Sequence, residues 1–303
     1  MRVTMNTMTG NFVRIMHEQG TQMLKKQTEI ATQKRVNRPS DDPLAMGRIL
    51  GYRESLTVID QYRDNIQRGM TRLEYTETVL GYADDMLRKA RAIAEEYSGS
   101  GVTADQRRFA AEEIKDIYDQ VMQMANSKFE EGYLFSGYRT DLEPFTRDAD
   151  YQAAYQGNAG AFNLAVSESI EVEIDTDGRS YFQNAGGGGV NIFDELKRII
   201  DGLEMADLEA GSAQVDAAVE ALRDGILQVN NKQTEIGLQM YRLELTDRHW
   251  KSFKPKVEDA LGREEDADLE RAIMELKNLE IAYEITMATA ARMMQPSLLN
   301  FLK

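Results

Sequence analysis

Residues 52–97 read YRESLTVIDQYRDNIQRGMTRLEYTETVLGYADDMLRKARAIAEEY. Within them Tyr52, Ile59, Ile66, Leu73, Leu80, Leu87 and Ala94 recur every seven residues. A second row, Leu56, Tyr62, Met70, Thr76, Ala83, Ala90 and Tyr97, runs beside it less regularly. A heptad row makes one apolar stripe along a helix, and that stripe needs another helix packed lengthwise against it. About 45 residues at the helical rise give a rod on the order of 70 Å. Gly51, Gly69 and Gly81 lower its intrinsic helicity, so packing has to hold it. Ser40-Asp41-Asp42-Pro43 supplies capping oxygens and a first-turn proline, and Ser98-Gly99-Ser100-Gly101 ends the helix.

The partner lies far along the chain. Val215, Val219, Leu222, Ile226, Val229, Gln233, Ile236, Met240 and Leu243 alternate steps of four and three, and Trp250 keeps the register. Residues 213–250 are therefore expected to form a second rod, with Gln233 as a polar register-setting member of its seam. A shorter amphipathic helix over 104–128 is expected from Phe109, Ile114, Ile117, Val121 and Met124. Between the rods the pattern changes. Segments 150–156, 161–167, 169–175 and 179–183 are short and rich in aromatic or β-branched residues, with a tight-turn signal at Asp177-Gly178. This zone, 138–190, is strand-like and glycine-rich, and from 140 to 210 acidic residues far outnumber basic ones, which reads as a solvated surface. The fold class is thus mainly α with a β-rich insert, the two helical ends packing together while the middle projects.

Each extreme end carries an apolar stripe of its own. Met5, Met8, Phe12, Ile15, Met23 and Ile30 are spaced helically at one end. Leu269, Ile273, Leu276, Tyr283, Met287, Ala290 and Met294 follow at the other, before Leu298, Leu299 and Phe301. Such stripes either pack inside the monomer or wait for neighbouring subunits. A lone amphipathic end helix rarely buries enough area to offset its ordering entropy, which favours order only on assembly.

Composition excludes much chemistry. A net charge of −15 argues against a general nucleic-acid binder. No cysteine is present, so disulfides, thiol nucleophiles and thiolate metal sites are ruled out, and two histidines cannot build a multi-histidine centre. His17 and His249 read as surface or packing residues. The Gly186–Gly189 run lacks the Lys-Ser/Thr ending of a phosphate loop and reads as a linker, with Asn191 capping the next helix. Carboxylate pairs such as Glu95-Glu96, Glu112-Glu113 and Glu264-Glu265 read as solvated helix faces. No catalytic group, cofactor or metal is expected. Neither a cleavable signal nor a membrane span is expected, since no apolar run is long enough.

The string Arg35-Val36-Asn37-Arg38-Pro39-Ser40-Asp41-Asp42-Pro43, with the apolar first segment and the closing Ser297-Leu298-Leu299-Asn300-Phe301-Leu302, resembles the bacterial flagellin family. Gly132-Tyr133-Leu134-Phe135-Ser136-Gly137, followed by Thr140 and Pro144-Phe145, is similar to that family's hook–filament junction branch. The resemblance implies terminal assembly segments at 1–42 with 263–303, a rod domain at 43–137 with 191–262, and an outward β-rich insert at 138–190. It implies a structural, non-enzymatic role in a ring of identical subunits, with hook-associated protein 1 and flagellin as neighbours. It further implies unfolded export through the flagellar apparatus, with a dedicated chaperone as a possible partner, and no cleaved signal. A self-polymerising filament flagellin is the alternative within the family. A coiled-coil scaffold or enzyme is the alternative outside it.

Overall fold

The computed structural model describes residues 5–99, 101–175, 177–183 and 189–299. Helices dominate: α1 (Met5–Thr32), α2 (Pro43–Tyr97), α3 (Ala104–Ala125), α4 (Arg179–Phe182), α5 (Ile192–Glu204), α6 (Leu208–Glu265) and α7 (Leu269–Leu299). Six short strands lie between α3 and α4: β1 (Lys128–Phe129), β2 (Gly132–Tyr133), β3 (Phe145–Arg147), β4 (Ala153–Tyr155), β5 (Phe162–Ala165) and β6 (Glu171–Asp175). They pair as three separate antiparallel hairpins, β1–β2, β3–β4 and β5–β6. The chain divides into two compact units, Asp60–Lys251 and the pair of segments Met1–Ile59 and Ser252–Lys303.

In the unit 60–251 the heptad rows do what their spacing requires. Ile66, Leu73, Leu80, Leu87 and Ala94 on α2 are buried, and so are Val215, Leu222, Val229, Ile236 and Leu243 on α6. The helices run antiparallel, because Arg63 pairs with Asp247 at 3.1 Å while Asn230 donates to Asp84 at 3.4 Å. Gln233 is half-buried and faces Gly81, where an added Cβ would lie 3.6 Å from its Nε2. Gly69 has a packing reason. A Cβ there would meet Leu164 of β5 at 2.7 Å and Leu243 of α6 at 3.3 Å. A glycine in the seam thus lets a hairpin lie directly on the rod, and Trp250 secures it by donating from Nε1 to the Val166 carbonyl at 2.9 Å.

Helix α3 starts at a full capping box between Thr103 and Gln106. Its expected apolar face needs correction. Phe109 is 70% exposed, and the covered face carries Arg107, Ala110, Ile114, Tyr118 and Val121. Arg107 is buried because it donates to the carbonyl of Gly202 near the end of α5, at 2.5 Å. The helix also stops before the expected residue 128, where β1 begins. Segment 179–183 is not a strand: Arg179–Phe182 is one helical turn, and Asp177 accepts from the Arg179 backbone N–H at 3.0 Å rather than opening a hairpin. Tyr181 and Phe182 join Phe135, Phe145 and Phe193 in an aromatic cluster with ring centroids 5.1–6.5 Å apart, and that cluster decides the local backbone. Asn191 caps α5 as expected, accepting from Phe193 N–H at 3.2 Å. The glycine linker lies mostly within 184–188, outside the described residues.

Candidate assembly interface

The unit formed by 1–59 and 252–303 contains the terminal stripes. Helices α1 and α7 pack against each other. On α1 the half-buried positions Phe12, Met16, Gln19, Met23, Lys26 and Ile30 repeat at steps of four and three. This face meets α7: Lys26 lies 2.7 Å from Glu275, and Met16, Met23 and Leu24 share a groove with Tyr283. The ammonium of Lys26 loses hydration by burial, yet the bonds from Glu275 and Glu29 outweigh this and hold its pKa above the usual lysine value. Glu275 is held below the ordinary carboxylate range, first by Lys26 and then by Arg271.

The terminal stripes therefore divide between two faces. Phe12, Met23, Ile30 and Tyr283 are half-buried, whereas Ile15 and Met287 are exposed. Large apolar side chains also stand among the exposed polar ones. Val13, Leu24, Met274, Ile281, Ile285 and Met287 are each 48–66% exposed. The side chains of Met5, Met8, Met294, Leu298 and Leu299 lie outside the described residues, as does Phe301 altogether.

Between α1 and α2 the string Arg38-Pro39-Ser40-Asp41-Asp42-Pro43 folds as a carboxylate-pinned turn. Asp41 accepts the backbone N–H of Asn37 at 3.2 Å and of Arg38 at 2.9 Å, and pairs with Lys25 at 3.1 Å. Burial raises its pKa, but those donors outweigh it, and the net shift is downward. Asp42 caps α2, accepting from Ala45 N–H at 3.0 Å, and that bond leads its own downward shift. Arg38, Pro39 and Ser40 are exposed, and Pro43 begins the helix. Beneath the turn, Val36, Ala45 and Ile49 form a small apolar cluster with Met46 and Leu261.

Residues that sequence reasoning missed complete this region. Gln33 to Arg35 bridges the α6–α7 turn, with Arg35 N–H donating to Glu265 O at 2.7 Å and Ala267 N–H to Gln33 O at 2.9 Å. The Glu264-Glu265 pair is not an ordinary solvated face. Glu265 is 4% exposed, contacts Lys34, and lies 2.5 Å from Arg53. Glu264 receives both arms of Arg48, at 3.0 and 2.9 Å. The available signal was the string of cations Lys34, Arg35, Arg48 and Arg53, which needs anions from elsewhere in the chain.

Among the described residues no group of His, Asp or Glu could hold a metal ion, and no helix is long and apolar enough to cross a membrane. His17 is exposed, and His249 sets its ring edge-on to Trp250.

Comparison with known proteins gives this region a context. The bacterial flagellin N-terminal helical region matches residues 3–140. Flagellar hook-associated protein 3 of Escherichia coli strain K12 is 25% identical over 241 residues, covering 74% of this chain and 75% of that protein. A solved structure described as a flagellar hook-associated protein from Vibrio parahaemolyticus superposes with a TM-score of 0.68 at 26% identity, covering 75% of this chain and 100% of that one. A flagellin of Clostridium tyrobutyricum is 24% identical over 171 residues, but covers only 56% of this chain and 44% of that protein. Residues 3–140 thus match the bacterial flagellin N-terminal helical region, and the chain is similar, in sequence and in fold, to flagellar hook-associated protein 3.

Proposed function

We propose that the protein is a structural, non-catalytic subunit of the bacterial flagellum, standing at the junction between hook and filament. The observation that carries this reading is the terminal helix pair α1–α7, whose two helices pack on each other while Val13, Leu24, Met274, Ile281, Ile285 and Met287 stay exposed. Apolar side chains left exposed on such a pair call for a further helical partner, and a ring of identical subunits supplies it. On this reading the neighbours are further copies, hook-associated protein 1 on the hook side and flagellin on the other. An export chaperone covers the exposed apolar side chains beforehand, and the chain leaves the cell without signal cleavage. The similarity to hook-associated protein 3 spans about three quarters of both chains, whereas the flagellin match spans less than half of its relative, which favours the junction over the filament.

A strain lacking the gene tests this directly. It should build hooks yet release flagellin into the medium, and a labelled copy returned to it should mark only the hook–filament boundary. Firmly attached filaments in the deletion strain, or label along the whole filament, would remove the junction reading.

A further inference from the structure

The bridge between Gln33–Arg35 and the α6–α7 turn has only two backbone hydrogen bonds, one from Arg35 and one from Ala267. The apolar cluster beside it is small: Val36, Ala45 and Ile49, with Met46 and Leu261 against them. Most of the fastening is ionic. The Glu265 carboxylate, 5% exposed, is shared between Lys34 of the connector and Arg53 of α2. Next to it Glu264 takes Arg48 of α2 in two hydrogen bonds, while Arg35 donates to the Glu264 carbonyl at 2.9 Å and lies 4.0 Å from its carboxylate. Other charged groups near the pair are Asp42, 3.6 Å from Arg35, Asp266 in the bridge, Arg263, which pairs with Asp259 at 2.8 Å, and Asp41, Asp268 and Arg271, which line the same groove as Arg35. Tyr52 is the other titratable group beside Arg48. Two adjacent carboxylates thus hold four cations from two other chain segments.

We propose that Glu264 and Glu265 form an acid-releasable clasp: ionised, they lock residues 33–42 to the α6–α7 turn, and protonated, they release it while residues 60–251 stay folded. Neutralising the pair leaves Lys34, Arg35, Arg48 and Arg53 facing one another with Asp42 as the nearest remaining counter-charge. A cation cluster of that kind repels itself open. The sign follows from the direction of titration. Arg48 holds Glu264 below the ordinary carboxylate range, and Lys34 and Arg53 do the same for Glu265 against the opposing effect of its burial. Their stabilisation is complete above the ordinary glutamate value and is lost as pH falls through the depressed one. The unit 60–251 rests on a large apolar cluster, and although Lys251 and Arg63 hold Asp247 low against the opposing effect of its burial, that pairing is a small part of what fastens the unit, so acid removes less from it. This inference rests on the fold and is independent of the flagellar reading.

Hydrogen exchange on the full-length chain tests it, corrected for the intrinsic pH dependence of exchange. Peptides covering Arg35 and Ala267 should lose protection about tenfold or more between about pH 7 and about pH 3, while α3 and α5 stay protected and Trp250 emission holds. The double variant Glu264→Gln/Glu265→Gln should show the same local loss at neutral pH. Unchanged protection of the bridge in acid, loss only together with α3 and α5, or a double variant as protected as wild type would each overturn the clasp. Where the double variant does not fold, the single variants Glu264→Gln and Glu265→Gln, measured at neutral pH where Asp41 and Asp42 stay ionised, decide in its place.

Discussion

Gly137 takes φ +65°, and a Cβ there would lie 2.3 Å from the Asn158 carbonyl oxygen. The residue thus combines a left-handed backbone with a contact that has no room to give. Gly47, by contrast, lies inside α2 with nothing within 4 Å of an added Cβ. The same substitution should therefore act in opposite directions. Gly137→Ala is expected to cost about 2 kcal/mol or more, from strain and collision together. Gly47→Ala should stabilise by about 0.5–1 kcal/mol, because it removes only the backbone entropy of a helical glycine. Urea midpoints of the two variants against wild type check both signs, and equal shifts would contradict the geometry. At this scale the Tyr-Leu-Phe-Ser-Gly string has a folding role as well as a diagnostic one. Leu134, Phe135 and Ser136 are buried, Phe135 sits in the aromatic cluster, and Gly137 makes the turn behind it.

Among the elements, the α2–α6 pair offers the most direct test. Leu73 is 1% exposed in the middle of the α2 seam. Leu73→Asp would place a carboxylate in the apolar cluster with no cation provided for it, and should cost about 4 kcal/mol or more. A melting temperature equal to wild type would refute the lengthwise packing. The rods were readable from sequence because a seven-residue repeat over many turns has only one physical explanation, and both ends of α2 carry strong local signals. Phe109 and segment 179–183 were misread for the opposite reason. A short apolar run has no sustained period, and the environment chooses its backbone: Tyr181 and Phe182 follow their aromatic neighbours. Arg107 displaces Phe109 from the covered face because the end of α5 presents a carbonyl to it. The first three strands, including the whole of β1 and β2, are two or three residues long and leave almost no pattern to detect. The clasp was hidden differently. Glu264 and Glu265 look like any exposed pair until residues more than two hundred positions earlier are brought beside them, a separation that periodicity cannot report.

For the whole chain, the consequence is an uneven distribution of stability. The unit 60–251 buries a continuous apolar cluster drawn from α2, α3, α5, α6 and the hairpins. In α1, by contrast, Glu29 alone is buried among the described residues, and in α7 Ala272 alone. Two long helices that cover so little of themselves open locally at low free-energy cost, well below that of global unfolding. Dilute full-length protein given a trace of trypsin should therefore be cut first in α1, at Arg14 or Lys25, and in α7, at Arg271 or Lys277. A fragment within residues 43–262 should persist. Mass analysis over time gives the order of the cuts. If the exposed apolar side chains of Val13, Leu24, Met274, Ile281 and Ile285 are inter-subunit contacts, the same sites should resist cleavage in assembled flagella, where a neighbouring helix would cover them. The trimmed fragment should remain folded but fail to enter the structure. Ends that resist trypsin as long as the rods do in dilute protein would mean that the α1–α7 pair is already sufficient by itself. A trimmed fragment that still assembles would place the contact elsewhere and leave those exposed side chains without their proposed use.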